Sequence, residues 1–188
     1  MLKKILIGLG AAIALLVIVI LLQPAKFRIE RSITMAAPPD AAFAQVNDFH
    51  AWVKWSPWEK LDPNLKRSYE GPSSGAGAKY AWVGNEDVGE GRMTIEKSNA
   101  PSEIQIKLEF FKPFEAKNTT IFTFAKTAEG NKTTWAMEGE NNFAGKAMSL
   151  FMNMEKMVGP DFEKGLASMK NEAEAAAKAS PSAANVSP

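Results

Sequence analysis

The sequence predicts an α+β fold in which a curved antiparallel β-sheet closes around a long C-terminal α-helix, preceded by one transmembrane helix. Three observations carry this prediction. Residues 5–22 are uncharged and almost wholly apolar, residues 66–140 alternate between apolar and polar side chains, and residues 147–169 repeat apolar side chains at steps of three and four. A sheet with one apolar face and a helix with one apolar stripe bury both surfaces by packing on each other.

Length and composition predict three parts in this 188-residue chain. They are a membrane anchor and linker (1–26), one folded domain (27–172) and an Ala-, Ser- and Pro-rich tail (173–188) that we expect to be disordered. The balance of 22 basic and 21 acidic residues does not indicate nucleic-acid binding. Because Cys is absent and His50 is the single histidine, Cys-based and multi-histidine metal sites are excluded. We expect no metal and no cofactor.

The apolar run from Ile5 to Leu22 is long enough to cross a hydrocarbon core as a helix, at about 1.5 Å per residue. A cleaved signal peptide is the alternative, but this run exceeds the usual apolar region and Gln23–Ala25 lacks the expected small residue two positions before the cut. Lys3 and Lys4 favour a cytoplasmic N-terminus with the domain on the far side, whereas basic residues just beyond the run favour the opposite orientation.

A first strand is predicted over residues 27–34, where apolar and polar side chains alternate. Asp40 can then cap a short helix. Three indoles follow within the seven residues Trp52–Trp58, and Pro57 excludes a simple continuous helix there. Either these indoles plug the end of the sheet, or some of them border a pocket, because Trp combines a broad apolar face with one N–H donor.

Five or six further strands are predicted, separated by Gly, Pro and Asn turn residues. They cover about Lys66–Glu70, Lys79–Val83, Gly91–Lys97, Glu103–Phe110, Lys117–Lys126 and Lys132–Glu140. Short links between consecutive strands indicate an antiparallel meander. The alternation gives the sheet one face of large apolar side chains and one face of charged and hydroxyl side chains.

The last apolar segment, Ala147–Met169, is predicted to be one amphipathic helix with a kink or restart at Gly159-Pro160. Its stripe consists of Phe151, Met154, Met157, Val158, Phe162, Leu166 and Met169. A stripe rich in Met and Phe either seals a core or covers a cavity that holds an apolar ligand.

Taken in order, these segments resemble the bacterial SRPBCC superfamily, the START and polyketide cyclase-like proteins with a helix-grip fold. The matching segments are Trp52–Pro63, Gly75–Trp82, Gly89–Met93, Phe110–Pro113, Thr134–Gly139 and Met157–Leu166. The resemblance covers about Phe27 to Lys170 and implies a cavity between sheet and helix, in a superfamily of lipid and hormone carriers, aromatase/cyclases and chaperone activators. For such a bacterial protein we expect a single-pass location in the cytoplasmic (inner) membrane, with the domain in the periplasm.

The expected function is a membrane-tethered, non-enzymatic binding domain for an apolar or amphipathic, lipid-like molecule. Expected wall residues are Tyr80, Trp82, Met93, Phe110, Trp135, Met137, Met154 and Phe162, with Trp52 or Trp55 at the mouth. One alternative is a polyketide cyclase/dehydrase-like enzyme, in which His50 with Asp48 or Glu59, or another cavity carboxylate, supplies acid/base chemistry. Another is a chaperone-like module that binds a protein along its exposed edge.

Overall fold

The structure, a computed structural model, describes residues 1–179 and has the predicted helix-grip α+β fold. The helices are α1 (Leu2–Leu21), α2 (Pro39–Asn47), α3 (Trp52–Trp55), α4 (Phe143–Ser149) and α5 (Met154–Ala179). The strands are β1 (Lys26–Met35), β2 (Lys66–Glu70), β3 (Lys79–Val83), β4 (Glu90–Asn99), β5 (Glu103–Lys112), β6 (Ala116–Thr127) and β7 (Gly130–Glu140). All seven strands form one antiparallel sheet in the order β1-β7-β6-β5-β4-β3-β2.

The core lies between the inner face of this sheet and α5, which contacts β1, β7, α2 and α3. From the helix, Phe162, Leu166 and Met169 are fully buried. From the sheet, Ile104 and Phe122 are equally buried, and both stand on the apolar face that alternation predicts. The hydrophobic effect therefore joins the two predicted apolar surfaces to each other.

One end of the sheet collects the start of β1, the end of β7 and two turns. Lys26 lies opposite Glu140, and the register of the neighbouring strands brings the β5–β6 turn (residues 113–115) and the β3–β4 turn (residues 84–89) to the same end. We call it the anchor end, because α1 leads directly into it. The β6–β7 turn lies at the opposite end, where Met35 faces Asn131.

The first helix, α1, is long and apolar enough to cross a membrane, a property that signal sequences share. Almost all of it is exposed. Its C-terminal end is fastened to the domain, since Lys146 Nζ on α4 donates to the Leu21 carbonyl at 3.1 Å. The Asn141 N–H donates to the Ala25 carbonyl at 2.6 Å. The point where α1 ends is therefore fixed beside α4.

The sequence predicts one helix over residues 147–169 with a kink or restart at Gly159-Pro160, and this position of the break is wrong. The chain leaves the helical conformation at residues 150–153, whereas α5 continues through Pro160. Asn153 begins the new helix by accepting the Lys156 N–H at 3.1 Å. Pro160 costs one backbone hydrogen bond, but Arg31 holds the turns on both sides of it.

Arg31 reaches α5 from the inner face of β1. Its guanidinium donates to Glu155 at 2.5 Å and to Glu163 at 2.6 Å. Gly159 lies between these two carboxylates, and a Cβ there would collide with the guanidinium. The glycine thus leaves a notch in the helix surface for the arginine.

The helix also continues beyond the predicted domain boundary at residue 172, as the Ala- and Glu-rich sequence of residues 171–178 allows. Residues 173–179, the first part of the predicted tail, continue α5 as far as Ala179. Ala173 is fully buried, and Glu174 Oε1 accepts the Ala36 N–H at 2.8 Å. Small and helix-favouring residues with tertiary contacts explain the extension. The rest of the predicted tail, residues 180–188, lies outside the described residues.

Gly165 provides a test of how closely α5 approaches the sheet. A Cβ at this position would lie 2.8 Å from Trp135 Cζ3 and 3.2 Å from Pro57 Cδ, both parts of rigid rings. We expect Gly165→Leu to lower the free energy of unfolding by about 1–3 kcal/mol through overpacking, despite a gain in helix propensity. Chemical denaturation measures this, with Ala167→Leu on the exposed face of the same helix as the control. Equal stability of the two variants would contradict the close packing.

Candidate ligand-binding site

A cavity of about 350 Å³ separates the inner face of β3–β7 from the first half of α5. Most of its wall consists of aromatic, Met, Leu and Val side chains, including Leu108 and Val158. Its volume lies within the range of about 300–1,000 Å³ that is typical of small-molecule sites. The strand alternation creates the wall, because consecutive inward positions on neighbouring strands all carry large apolar groups.

One glycine shapes this wall. A Cβ on Gly91 would collide with the indole of Trp82, so that the glycine lets this ring lie across β4. The indole N–H donates to the Val88 carbonyl at 3.2 Å. The ring also meets Phe110 edge-on, with centroids 5.8 Å apart. Trp82 is therefore a fixed part of the cavity wall.

The mouth of the cavity lies at the anchor end of the sheet. Phe114, in the β5–β6 turn, is 70% exposed and borders the cavity together with Lys112 and Pro113. On the opposite side, Met154 at the start of α5 is also exposed. A molecule entering between sheet and helix would pass between these two side chains.

Nine of the ten side chains predicted for the site line this cavity. They are Trp52, Tyr80, Trp82, Met93, Phe110, Trp135, Met137, Met154 and Phe162. Trp55 lies in the packed core instead, with its ring 4.5 Å from that of Trp52. That these residues contact a ligand stays a prediction.

The expected position of Trp52 or Trp55 at the mouth is wrong, because both indoles are buried. Trp52 Nε1 donates to the Val46 carbonyl at 3.1 Å, and Trp55 Nε1 donates to the Gln45 carbonyl at 3.0 Å. Both acceptors lie in α2. These two residues fasten α2 to the segment around α3, which is a structural role.

The main polar feature of the cavity wall is Glu59, in the turn that follows Pro57. Its side chain is 5% exposed. Glu59 Oε1 accepts the Tyr80 hydroxyl at 2.5 Å, and Oε2 accepts Arg67 Nε at 2.6 Å. Burial, followed by the hydrogen bond to Glu59, raises the pKa of Tyr80 well above its ordinary value. Tyr80 is therefore a neutral donor at any physiological pH.

Sequence reasoning considered Glu59 only as a partner for His50. The structure separates these residues: His50 Nδ1 lies 2.8 Å from Asp48 Oδ1, and the ring stacks on Tyr69 with centroids 4.0 Å apart. The His50 side chain is half exposed and does not border the cavity. Within residues 1–179, no group of three or more His, Asp or Glu side chains is placed to hold a metal ion. Glu59 is thus the carboxylate that the cavity offers.

Trp135 forms the centre of the wall. Its ring lies between Phe122 and Phe162, with centroids 4.9 Å and 4.1 Å away, and the residue is only 3% exposed. Its Nε1–H has no hydrogen-bond partner among the described residues. A buried unpaired donor costs free energy, which a ligand acceptor would recover.

A wider depression of about 1,150 Å³ lies on the other side of the sheet, near the anchor end. Charged side chains dominate it. Arg28 pairs there with Glu138, and Lys26 Nζ lies 3.8 Å from Glu140. Such a surface is open and hydrated and suits an apolar ligand poorly.

Comparisons with known proteins agree with this geometry. A family described as "Polyketide cyclase / dehydrase and lipid transport" matches residues 26–174. Comparison with curated protein sequences finds no match.

Three solved structures are similar in fold. A protein of unknown function from Staphylococcus aureus aligns with a TM-score of 0.61 at 10% identity, covering 81% of this chain and 96% of that one. The di-domain ARO/CYC StfQ from the steffimycin biosynthetic pathway gives 0.59 at 14% identity, with 82% and 53% covered. Ara h 8.0201 gives 0.54 at 12% identity, with 82% and 99% covered. At these identities the similarity shows the fold alone.

Trp135 yields a prediction with two substitutions. Trp135→Ala removes a ring that packs on both faces, and we expect the free energy of unfolding to fall by about 3–5 kcal/mol. Trp135→Phe keeps one aromatic ring between Phe122 and Phe162 and removes the rest of the indole together with its unpartnered N–H, so it should cost clearly less. Chemical denaturation of the two variants measures the difference. A small loss for Trp135→Ala would mean that the ring borders open space instead of supporting the core.

Proposed function

We propose that this chain, which belongs to the polyketide cyclase / dehydrase and lipid transport family, is a membrane-tethered protein that binds an apolar or amphipathic, lipid-like molecule. The observation that carries the proposal is the cavity of about 350 Å³ between sheet and helix, with its largely apolar wall. A cavity of this kind attracts ligands by removing their apolar surface from water.

The size of the cavity is sufficient for useful affinity. Burying about 300 Å² of ligand surface at roughly 25 cal/mol per Å² contributes several kcal/mol before the entropy cost of binding. That supports binding in the micromolar range without any catalytic group. The cavity volume of about 350 Å³ limits the ligand to a small molecule, or to one part of a larger molecule.

Polar groups in the wall favour an amphipathic ligand over a pure hydrocarbon. Glu59 and Tyr80 form a hydrogen-bonded pair on one side, and Trp135 offers an unpaired donor. A ligand hydroxyl or carbonyl could pair with these groups. A second negative charge beside Glu59 would be unfavourable, so we infer that the buried portion of the ligand is uncharged.

The tether follows from α1. We infer that α1 is an uncleaved single span of the cytoplasmic (inner) membrane, with the domain in the periplasm; the two lysines before the span support this orientation. Only Leu22–Ala25 separate α1 from β1. The cavity would therefore work at the membrane surface.

Glu59 favours one second candidate, a cyclase/dehydrase-like enzyme. A carboxylate at a cavity wall could accept a proton from a carbon of the ligand and return it to a departing hydroxyl, which leaves as water. Against this role, both carboxylate oxygens already accept hydrogen bonds from Tyr80 and Arg67.

A chaperone-like role gains little support, because the short edge strand β2 carries charges that oppose pairing with another chain.

Filling the mouth tests the binding function. Val158 borders the cavity beside Met154, and Val158→Trp would occupy the space that the ligand needs. We expect the fraction of chains with a one-to-one bound molecule to fall about tenfold or more, since each lost CH₂ contact is worth about 0.8 kcal/mol. Native mass spectrometry of the full chain, released from detergent, measures that fraction. Ala167→Trp, on the exposed face of α5, is the control; retention by both variants would exclude this cavity as the binding site.

Glu59→Gln separates binding from turnover. A binding protein retains the same copurified molecule in this variant, which is the result that we expect. A dehydrating enzyme would instead accumulate a precursor heavier by one water, detectable in the extracted ligand by mass spectrometry. Tyr80→Phe is the matched control, because it removes the hydrogen bond to Glu59 and leaves the carboxylate in place.

A further inference from the structure

Exposed apolar side chains are concentrated around the cavity mouth. Outside α1, the described residues include seven large ones on α4, at the start of α5, in the loop between these helices and in the β5–β6 turn. They are Phe114, Phe143, Met148, Phe151, Met152, Met154 and Met157, and we call them the apolar rim. Phe151 is 86% exposed and Phe114 is 70% exposed. Exposed apolar side chains concentrated at one end of a domain indicate a contact with a protein or a membrane.

The rim is continuous with the end of α1. Lys146, within α4, donates to the last carbonyl of α1, and Phe143 and Met148 flank this lysine in sequence. The β5–β6 turn that carries Phe114 lies at the same end of the sheet as the start of β1. All parts of the rim thus gather where the chain leaves α1.

The linker leaves little freedom to move this surface away from a membrane. Leu22–Ala25 are four residues, which span at most about 14 Å when fully extended. The hydrogen bonds from Lys146 and Asn141 shorten that reach further. If α1 lies in a bilayer, these contacts keep the anchor end of the sheet, and the rim with it, close to the surface of the same bilayer.

The chemistry of the rim suits a lipid surface. Phe and Met side chains enter the boundary between headgroups and acyl chains, while an exposed lysine such as Lys156 can extend its ammonium group toward water. Acidic and basic residues are mixed around the rim, with Glu155 beside Lys156. Insertion should therefore depend on apolar contact and not on anionic lipids.

We propose that the apolar rim docks into the lipid surface of the bilayer that holds α1, so that the cavity mouth between Phe114 and Met154 opens onto lipid. The proposal rests on the proposed function, because it takes α1 to be membrane-inserted. It adds the route: a lipid-like ligand enters from the bilayer without crossing water.

The absence of Cys from the sequence makes a site-directed test clean. Single-cysteine variants of the full chain, each carrying a nitroxide label, are reconstituted in phosphatidylcholine vesicles. Phe151→Cys and Phe114→Cys report on the rim. Leu15→Cys, within α1, reports on the anchor, and Glu129→Cys, in the β6–β7 turn at the opposite end of the sheet, reports on water.

The measurement is the accessibility of each label to oxygen, which concentrates in lipid, and to a water-soluble nickel complex. We expect both rim labels to lose nickel accessibility severalfold relative to Glu129→Cys and to gain oxygen accessibility toward the value of Leu15→Cys. Rim labels as accessible to nickel as Glu129→Cys, with Leu15→Cys shielded, would overturn the docking and leave the anchor intact. A nickel-accessible Leu15→Cys would overturn both.

Labels shielded from both reagents would also overturn the docking, since they would mean that a protein surface, or a second copy of this chain, covers the rim. Phe151 is so exposed that its substitution should not disturb folding. The outcome therefore reports on location and not on loss of structure.

Discussion

The close contact of α5 with the sheet at Trp135 is the constraint on which the rest of the structure depends. Trp135 stacks between Phe122 and Phe162, and Gly165 brings the helix backbone against the same ring. Beyond this point, toward the C-terminus, α5 is packed tightly by Leu166, Met169 and Ala173. Toward its N-terminus the helix is exposed. The cavity occupies the space where the helix and sheet separate, so one contact determines both the closed and the open half of the molecule.

Polar contacts hold the open half. Arg31 joins β1 to Glu155 and Glu163 through the notch at Gly159. Ion pairs with solvent access contribute little stability each, so this half of α5 is held less strongly than the half that packs in the core. The cavity borders this less strongly held half of the helix.

Most of the fold could be predicted from periodicity, because a strand that is buried on one side must alternate. Alternation predicts that Tyr80, Trp82, Met93 and Met137 face inward, and they lie on the inner face. Helical periodicity was less informative. It predicts one stripe containing Phe151, Met157 and Phe162, but Phe151 lies in the break between α4 and α5, and periodicity does not reveal how far along the helix the sheet covers that stripe. The roles of Trp52, Trp55 and Glu59 depend on partners in α2, β2 and β3, and no local pattern in the irregular segment 48–65 reveals them.

The four-residue linker between α1 and β1 has a consequence for how a ligand could be transported. If α1 is inserted in a membrane and the cavity binds a lipid-like ligand, as proposed, a domain on so short a linker cannot carry that ligand across the gap between two membranes, as a freely diffusing carrier does. It samples ligands by lateral diffusion in a single leaflet, and any recipient has to come to that surface to collect them. The reach of the protein is then set by the mobility of its anchor, and the two-dimensional density of the cargo, not its solubility in water, governs how often the cavity is filled.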